Sequence, residues 1–358
     1  MPLRLERRAE ASRFWFYASP VLAVALSALA AAALFMALGH APLQALRVMV
    51  VTPLETTYGV AELGLKTTPL LLCAVGIAIG CRANVWNIGA EGQFTVGAIA
   101  GGGVALAFGD AGGWVVLPLM LLAGGLGGLA WAAVAAFLRT RFNAHEILTT
   151  LMLSYVAVQL LGYLVHGPWQ DPDGFSFPQT RQFEPHALMP VLVPGTRLHL
   201  GALFALLSVP CATVLLGRTL AGYRLRVVGL APAAASYAGF NANGAVWLGL
   251  LVSGGLAGLA GVCEAAGPIG QLTPVISPGY GFAAIIVAFL GRLHPVGILL
   301  ASLLMALLYL GGEQLQITLQ LPLAATGVVQ GMLLFFLLAA DVLIAFRVTR
   351  TAPRLQHA

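Results

Sequence analysis

Charge is what this chain lacks most. Of its 358 residues only 9% are Asp, Glu, Lys or Arg, while 59% are hydrophobic. Soluble domains carry about 25% charged residues, and a soluble fold of this length could not cover its surface with so few. Lipid-facing surface needs none. Lysine is nearly missing: Lys66 is the single one among 18 basic residues. No GxxxxGK[ST] string occurs, and Lys66 follows Leu65, so the chain supplies no Walker-type phosphate-binding lysine. If ATP drives its work, another polypeptide hydrolyses it. HExxH and GxSxG are also missing, and His and Asp are scarce in the apolar runs. No catalytic residue, metal ligand or cofactor site is assigned. Cys73, Cys81, Cys211 and Cys263 form no CxxC or Cys/His spacing and read as small apolar packing residues.

What the chain has is apolar length. A helix needs about 20 apolar residues to cross the hydrocarbon core. Runs of that kind cover residues 18–38, 60–80, 88–108, 114–138, 147–166, 200–217, 244–266, 280–291, 296–312 and 325–346. The eighth is short, at about 18 Å for a rise of 1.5 Å per residue. It crosses by borrowing earlier residues or forms part of a broken helix. The expected fold is therefore an all-α polytopic membrane protein with about ten transmembrane helices. One helix near 268–291 is expected to be broken or re-entrant. The basic start followed by residues 18–38 resembles a signal peptide, but the run exceeds an h-region and reads as an uncleaved first span.

The arginines orient this bundle. With a cytoplasmic N-terminus and ten crossings, Arg4, Arg7, Arg8, Arg13, Arg82, Arg139, Arg141, Arg218, Arg224, Arg226, Arg292, Arg347, Arg350 and Arg354 all face the cytoplasm. Only Arg47, Lys66, Arg181 and Arg197 lie outside or near the outer edge, out of 18 basic residues. This matches the positive-inside bias, and both termini come out cytoplasmic. The net charge of +5 thus reflects topology rather than nucleic-acid binding. The implied organisation is a cytoplasmic tail (1–17), a membrane domain (18–346) and a second cytoplasmic tail (347–358). The membrane domain includes an outer loop (167–199) and an inner loop (218–243).

Polar residues inside such a chain need a reason. Ionisable groups near mid-membrane cost about 2.5–3.5 kcal/mol on insertion scales. The string Arg82-Ala-Asn-Val-Trp-Asn-Ile-Gly-Ala-Glu-Gly-Gln93 concentrates them. Trp86, Asn87, Glu91 and Gln93 read either as a gate or substrate path, or as a hydrogen-bond knot holding the bundle. Trp86 suits stacking on a ring-shaped substrate or plain packing. Glu264 and Gln271, among Gly267, Pro268, Gly270 and Pro274, mark irregular backbone near the outer side, either lining a path or forming a simple loop. In the inner loop, Ala231–Gly239 suits one or two helical turns, with Pro232 in an early-turn position and Gly239 and Asn241 suited to its end.

At these residues the chain resembles the branched-chain-amino-acid/ribose type of ABC permease, and more narrowly the nucleoside or simple-sugar subgroup. The resemblance rests on Asn87-Ile-Gly-Ala-Glu-Gly-Gln93 with its Cys81-Arg82-Ala83 lead-in, Leu148-Thr-Thr-Leu-Met-Leu153, Arg226–Asn241, Ala288-Phe-Leu-Gly-Arg-Leu-His-Pro295 and Gly311–Gly331. It implies an ATP-driven importer subunit in a bacterial inner membrane, not an enzyme. The implied partners are a second permease subunit, two cytoplasmic ATP-binding subunits and an extracytoplasmic binding protein. It also implies that Arg226, Gly229, Pro232, Ala234, Ala235, Tyr237 and Gly239 belong to the element that docks on the ATPase. The usual Glu before the Ala pair is replaced by Ala233. A different class, an ion-coupled secondary transporter using Glu91 or Glu264, is the alternative.

Overall fold

The computed structural model describes residues 3–7, 12–109 and 113–350. Its contacts divide the chain into two units: residues 1–56 with 307–358, and residues 57–306.

In the first unit, β1 (Leu3–Arg7) pairs antiparallel with β2 (Phe346–Arg350). This two-stranded ribbon departs from a purely helical reading. It also ties the two expected tails to each other; residues 1–2, 8–11 and 351–358 of those tails lie outside the described residues. Helix α1 (Arg13–Ala37) begins five residues before the expected span, because Ser12 accepts a hydrogen bond from the Trp15 N–H as an N-cap. Ser19, Ala23, Ser27, Ala31 and Phe35 recur every four residues and are buried. That spacing makes one helical face, which packs on α13 (Leu323–Ala345). Ser19 Oγ donates to Asp341 Oδ1 at 3.0 Å across this pair. Between them in sequence lies the short α2 (Pro42–Val50).

The second unit is built around two helices, α3 (Thr57–Arg82) and α10 (Ala242–Glu264). Residues 67–80 of α3 are buried without interruption, so water and lipid are both excluded from them. Around this pair stand α4 (Ala90–Phe108), α5 (Val116–Phe142), α6 (Glu146–His166) and α7 (Gly201–Arg218). Glycine lets the backbones meet. A Cβ on Gly97 of α4 would lie 2.3 Å from the Gly258 Cα of α10, and one on Gly128 of α5 would lie 2.2 Å from the Gly254 carbonyl oxygen. In lipid, where apolar surface gains little from association, such close packing supplies the cohesion.

Past α7 come α8 (Leu220–Leu230) and the one-and-a-half-turn α9 (Pro232–Tyr237). After α10 the chain makes a π-turn over Ala265–Ile269, runs irregularly through residues 270–279, and forms α11 (Tyr280–Leu290). The break thus falls inside the stretch where the sequence placed one. Helix α12 (Pro295–Leu319) follows and crosses the division between the units.

Among the described residues, eight helices are long and apolar enough to cross a membrane, against about ten expected. The two remaining segments are present as helices but miss one criterion each. Helix α4 opens on Ala90-Glu91-Gly92-Gln93, which dilutes its apolar character; α11 has 11 residues, about 16 Å.

The long segment 167–199 is ordered against the broken stretch. Thr180 N donates to Leu272 O (3.0 Å), Phe183 N to Gly270 O (2.7 Å) and Met189 N to Ala266 O (2.8 Å). Buried backbone that leaves a helix must satisfy its polar groups from another segment, and this loop does so.

The glycine contacts give a direct test. Gly97→Ala should destabilise the bundle by about 1–3 kcal/mol, the usual cost of overpacking. Gly162→Ala, where a Cβ meets nothing within 4 Å, should be neutral. Thermal unfolding midpoints of the two variants in detergent check this.

Candidate functional site

The polar string folds into one compact knot. Helix α3 stops at Arg82, and Asn84 takes a left-handed conformation (φ 55°) that turns the chain back. Residues 85–88 have no regular secondary structure, and α4 starts at Ala90. Asn87 and Gln93 form a reciprocal amide pair: Asn87 Nδ2 donates to Gln93 Oε1 (2.7 Å) and Gln93 Nε2 donates to Asn87 Oδ1 (3.1 Å). Asn87 Nδ2 also donates to Ser253 Oγ of α10 (2.8 Å), and Asn87 Oδ1 accepts from the Gly89 N–H (3.1 Å). Both amides are buried and hydrogen-bonded at both their oxygen and their nitrogen, as buried polar groups must be.

Helix α6 closes the knot on another side. A Cβ on Gly89 would fall 2.7 Å from the Thr150 carbonyl oxygen, and one on Gly92 would fall 2.5 Å from the Ser154 Cα. Gly92 N donates to Ser154 Oγ at 3.2 Å. Thr150 belongs to the Leu148–Leu153 string, so two motifs far apart in sequence pack face to face.

Glu91 occupies the first turn of α4 and reaches the first turn of α11. Its Oε2 accepts from the Gly281 N–H at 2.7 Å. The Ser277 hydroxyl and the backbone of Gly279 and Phe282 also hydrogen-bond to this carboxylate. Ser277 Oγ in turn accepts from the N–H groups of Gly279 and Tyr280. One buried carboxylate therefore serves the unpaired N–H groups of α11, and it sits at the positive end of both helix dipoles. The approach is tight: a Cβ on Gly281 would lie 2.3 Å from Glu91 N.

The other sequence candidates lie apart. Trp86, 38% exposed, stacks on Phe289 of α11 with centroids 5.3 Å apart and donates from Nε1 to Asn84 Oδ1. Glu264 lies eleven residues beyond Ser253 on α10, about 16 Å at helical rise, so it cannot join the Asn87 cluster. Its charged neighbours are Lys66, Arg197 and Glu62. Arg197 holds Glu62 bidentately, Nε to Oε1 at 2.9 Å and Nη2 to Oε2 at 2.7 Å. Gln271 donates from Nε2 to Gln179 Oε1 (3.0 Å) in the loop that covers the broken stretch.

At the opposite end, α8 and α9 form a short hook. A Cβ on Gly229 would meet the Arg82 carbonyl oxygen at 2.1 Å, so the end of α8 lies backbone to backbone on the end of α3. Pro232 occupies the first turn of α9 and Gly239 (φ 81°) ends it. Asn241, expected at that end, instead caps the next helix by accepting from the Gly244 N–H at 3.0 Å. Ala235 is buried; Arg226, Pro232, Ala234 and Tyr237 are exposed, Tyr237 at 97%.

The family model of the branched-chain amino acid transport system permease component matches residues 59–338. The chain belongs to this permease family. It is 34% identical to the glucose ABC transporter permease protein TsgB13 of Haloferax volcanii, over 97% of this chain and 93% of that protein. It is 31% identical to the guanosine ABC transporter permease protein NupP of Bacillus subtilis, over 78% of this chain and 80% of that one. To the nucleoside ABC transporter permease protein NupB of Lactococcus lactis it is 28% identical, over 82% of each. No solved structure matches it. The protein is thus a multi-pass ABC transport subunit and not an enzyme.

Sequence reasoning missed several members of the permease's polar framework. Ser154, Ser253 and Ser277 read as ordinary small residues, and only their buried partners give them a role. The Glu62–Arg197 pair spans 135 positions and left no local signal beyond a lone carboxylate in an apolar run. His199, in the loop before α7, was also missed. It is buried, and its Nδ1 accepts from the Gly201 N–H at 3.1 Å. Burial lowers its pKa from 6.5 to about 4.

Two outcomes follow for the permease. Glu91→Ala strips the α11 N–H groups of their acceptor and should cost on the order of 3 kcal/mol, read as a lowered unfolding midpoint in detergent. His199 stays neutral when folded, whereas the unfolded ring takes a proton as pH falls through 6.5. Its contribution is therefore complete above pH 6.5 and is lost progressively down to about pH 4. The His199→Asn permease should show a flatter stability profile over that window than the parent chain does.

Proposed function

We propose that this permease imports nucleosides or simple sugars across a bacterial inner membrane, receiving them from an extracytoplasmic binding protein. In this reading the chain crosses ten times, with α4 and α11 completing the eight long apolar helices, and both termini lie in the cytoplasm. It pairs with a second permease subunit, identical or related, and two ATP-binding subunits dock from the cytoplasm.

The observation that carries the coupling is the hook. A proline-started, glycine-ended helix of six residues (232–237) projects an almost fully exposed tyrosine from an end rich in arginines. The end of α8 that leads into it lies on the end of α3 through Gly229. Tyr237, Ala234 and Pro232 present the contact surface; Ala235 and Gly239 shape the turn; Arg226 adds charge. A soluble ATPase needs a small, protruding element of this kind to move a span.

Substrate class rests on relatives named for glucose, guanosine and nucleosides. The knot agrees with neutral polar cargo. Its amides and hydroxyls are uncharged, and the Glu91 carboxylate is committed to α11. Asn87, Gln93 and Glu91 frame the path rather than bind cargo directly. Trp86 is the exposed member and offers a ring for a base or a pyranose. Gln271 and Glu264 stand at the outer entry, beneath the covering loop. The ion-coupled alternative gains no support from the family.

The test is uptake of labelled guanosine and glucose into vesicles holding this chain with its ATPase, second permease and binding protein. ATP-dependent uptake of one of them is expected. Tyr237→Ala should leave the permease folded but lower co-purification of the ATPase and uptake at least fivefold. Uptake without any ATPase would sink the reading.

A further inference from the structure

One short helix is held along its length by one stretch of chain. Helix α11 begins at the Glu91 carboxylate, which accepts from Gly281 N. Eight residues later Phe289 stacks on Trp86. Just past its end, Arg82 Nη2 donates to the Leu293 carbonyl oxygen at 3.1 Å. Residues 82–91 thus run beside α11 and grip its start, its last turn and the turn beyond it. From Gly281 to Phe289 is about 12 Å at helical rise, so the grip covers most of the length of α11.

The turn after α11 is not a relaxed one. Arg292 (φ 59°) and Leu293 (φ 53°) are consecutive non-glycine residues in the left-handed region. Each such residue is disfavoured and persists where its surroundings hold it. Arg82 is a holding group that comes from outside the turn. Arg82 is also the residue on whose carbonyl oxygen Gly229 of α8 rests, with room for no side chain between them. The same residue therefore touches the hook through its backbone and the strained turn through its guanidinium.

We infer that Arg82 is a positioning residue for coupling: it passes displacement of the α8–α9 hook to α11, whose far end is fixed at Glu91 deep in the bundle. A push on α8 moves the Arg82 backbone, its side chain pulls the Leu293 carbonyl, and α11 shifts as a short rigid rod with its capped start at the knot. Two discrete arrangements are natural here, because a turn in an unfavourable conformation needs little displacement to leave it. The inference rests on the ATP-driven reading above and adds to it the route inside this chain.

The decisive experiment uses the full assembly in proteoliposomes, with binding protein and labelled guanosine or glucose, and counts solute imported per ATP hydrolysed. Arg82→Met keeps the stem and removes the donors. It should preserve assembly and ATP hydrolysis within about twofold while import per ATP falls at least tenfold. Arg82→Lys, which restores a donor, should recover a good part of the ratio. Phe289→Leu removes the stacking grip without touching Arg82 and should lower the same ratio by a smaller factor. An unchanged ratio in Arg82→Met overturns the inference. So does a parallel loss of import and hydrolysis in all three variants, which would mark a purely structural role. If Arg82→Met fails to assemble, Phe289→Leu and Arg82→Lys decide it: unchanged ratios in both overturn it. Parent assemblies that import without consuming ATP would instead overturn the ATP-driven reading itself.

Discussion

The second unit depends on a single carboxylate. A helix that starts inside a membrane exposes N–H groups that lipid cannot satisfy. Helix α11 starts among buried residues, after a break of ten residues. Glu91 supplies the acceptor, and it does so from the first turn of α4, so the start of one helix becomes the cap of another. Without that acceptor the break at residues 270–279 would leave buried donors unpaired. With it, a short helix of 11 residues can stand in a bundle of spans more than half again as long. The neighbouring amides, Asn87 and Gln93, bond to each other and to Ser253 for the same reason: buried polar groups are tolerated when each has a partner.

The glycines complete this arrangement rather than decorate it. Gly89 and Gly92 sit against α6, Gly281 sits against the start of α4, and Gly229 sits against the end of α3. Each brings backbone to backbone, where a side chain would hold the elements apart and lengthen the hydrogen bonds. Such contacts behave as hard stops. Nothing soft lies between the elements at these points, and a close-packed interior of this kind has little room to deform.

Much of this was legible in the sequence. Low charge and apolar runs give a membrane bundle, and every one of the ten anticipated segments is helical. Arg82–Gln93 stood out because polar residues are costly in an apolar run. The glycines and prolines near residues 267–274 marked the break. The span count was harder to read. Helix α4 is diluted by the very residues that make the knot, and α11 is short because the chain before it is irregular up to Gly279. A window of hydropathy sees both as defects. The reading of residues 1–17 as a tail missed the Ser12 cap, which begins α1 earlier.

The site was legible only in part, and the reason is geometric. Periodicity shows which residues share a face of one helix, but not which face of another helix meets it. Glu91 and Glu264 look alike in sequence, each a lone carboxylate among small residues. One stands in the first turn of its helix and the other in the last, so they meet opposite requirements. Glu91 faces helix N-termini, whose partial positive charge is fixed by backbone alone. Glu264 faces Lys66 and Arg197, side chains contributed from α3 and from the loop before α7. No local pattern separates these two settings, because what distinguishes them lies on other elements. For the same reason the hydrogen-bond knot could not be assembled from the string alone: Asn87 needs Ser253 of α10, and Glu91 needs the start of α11.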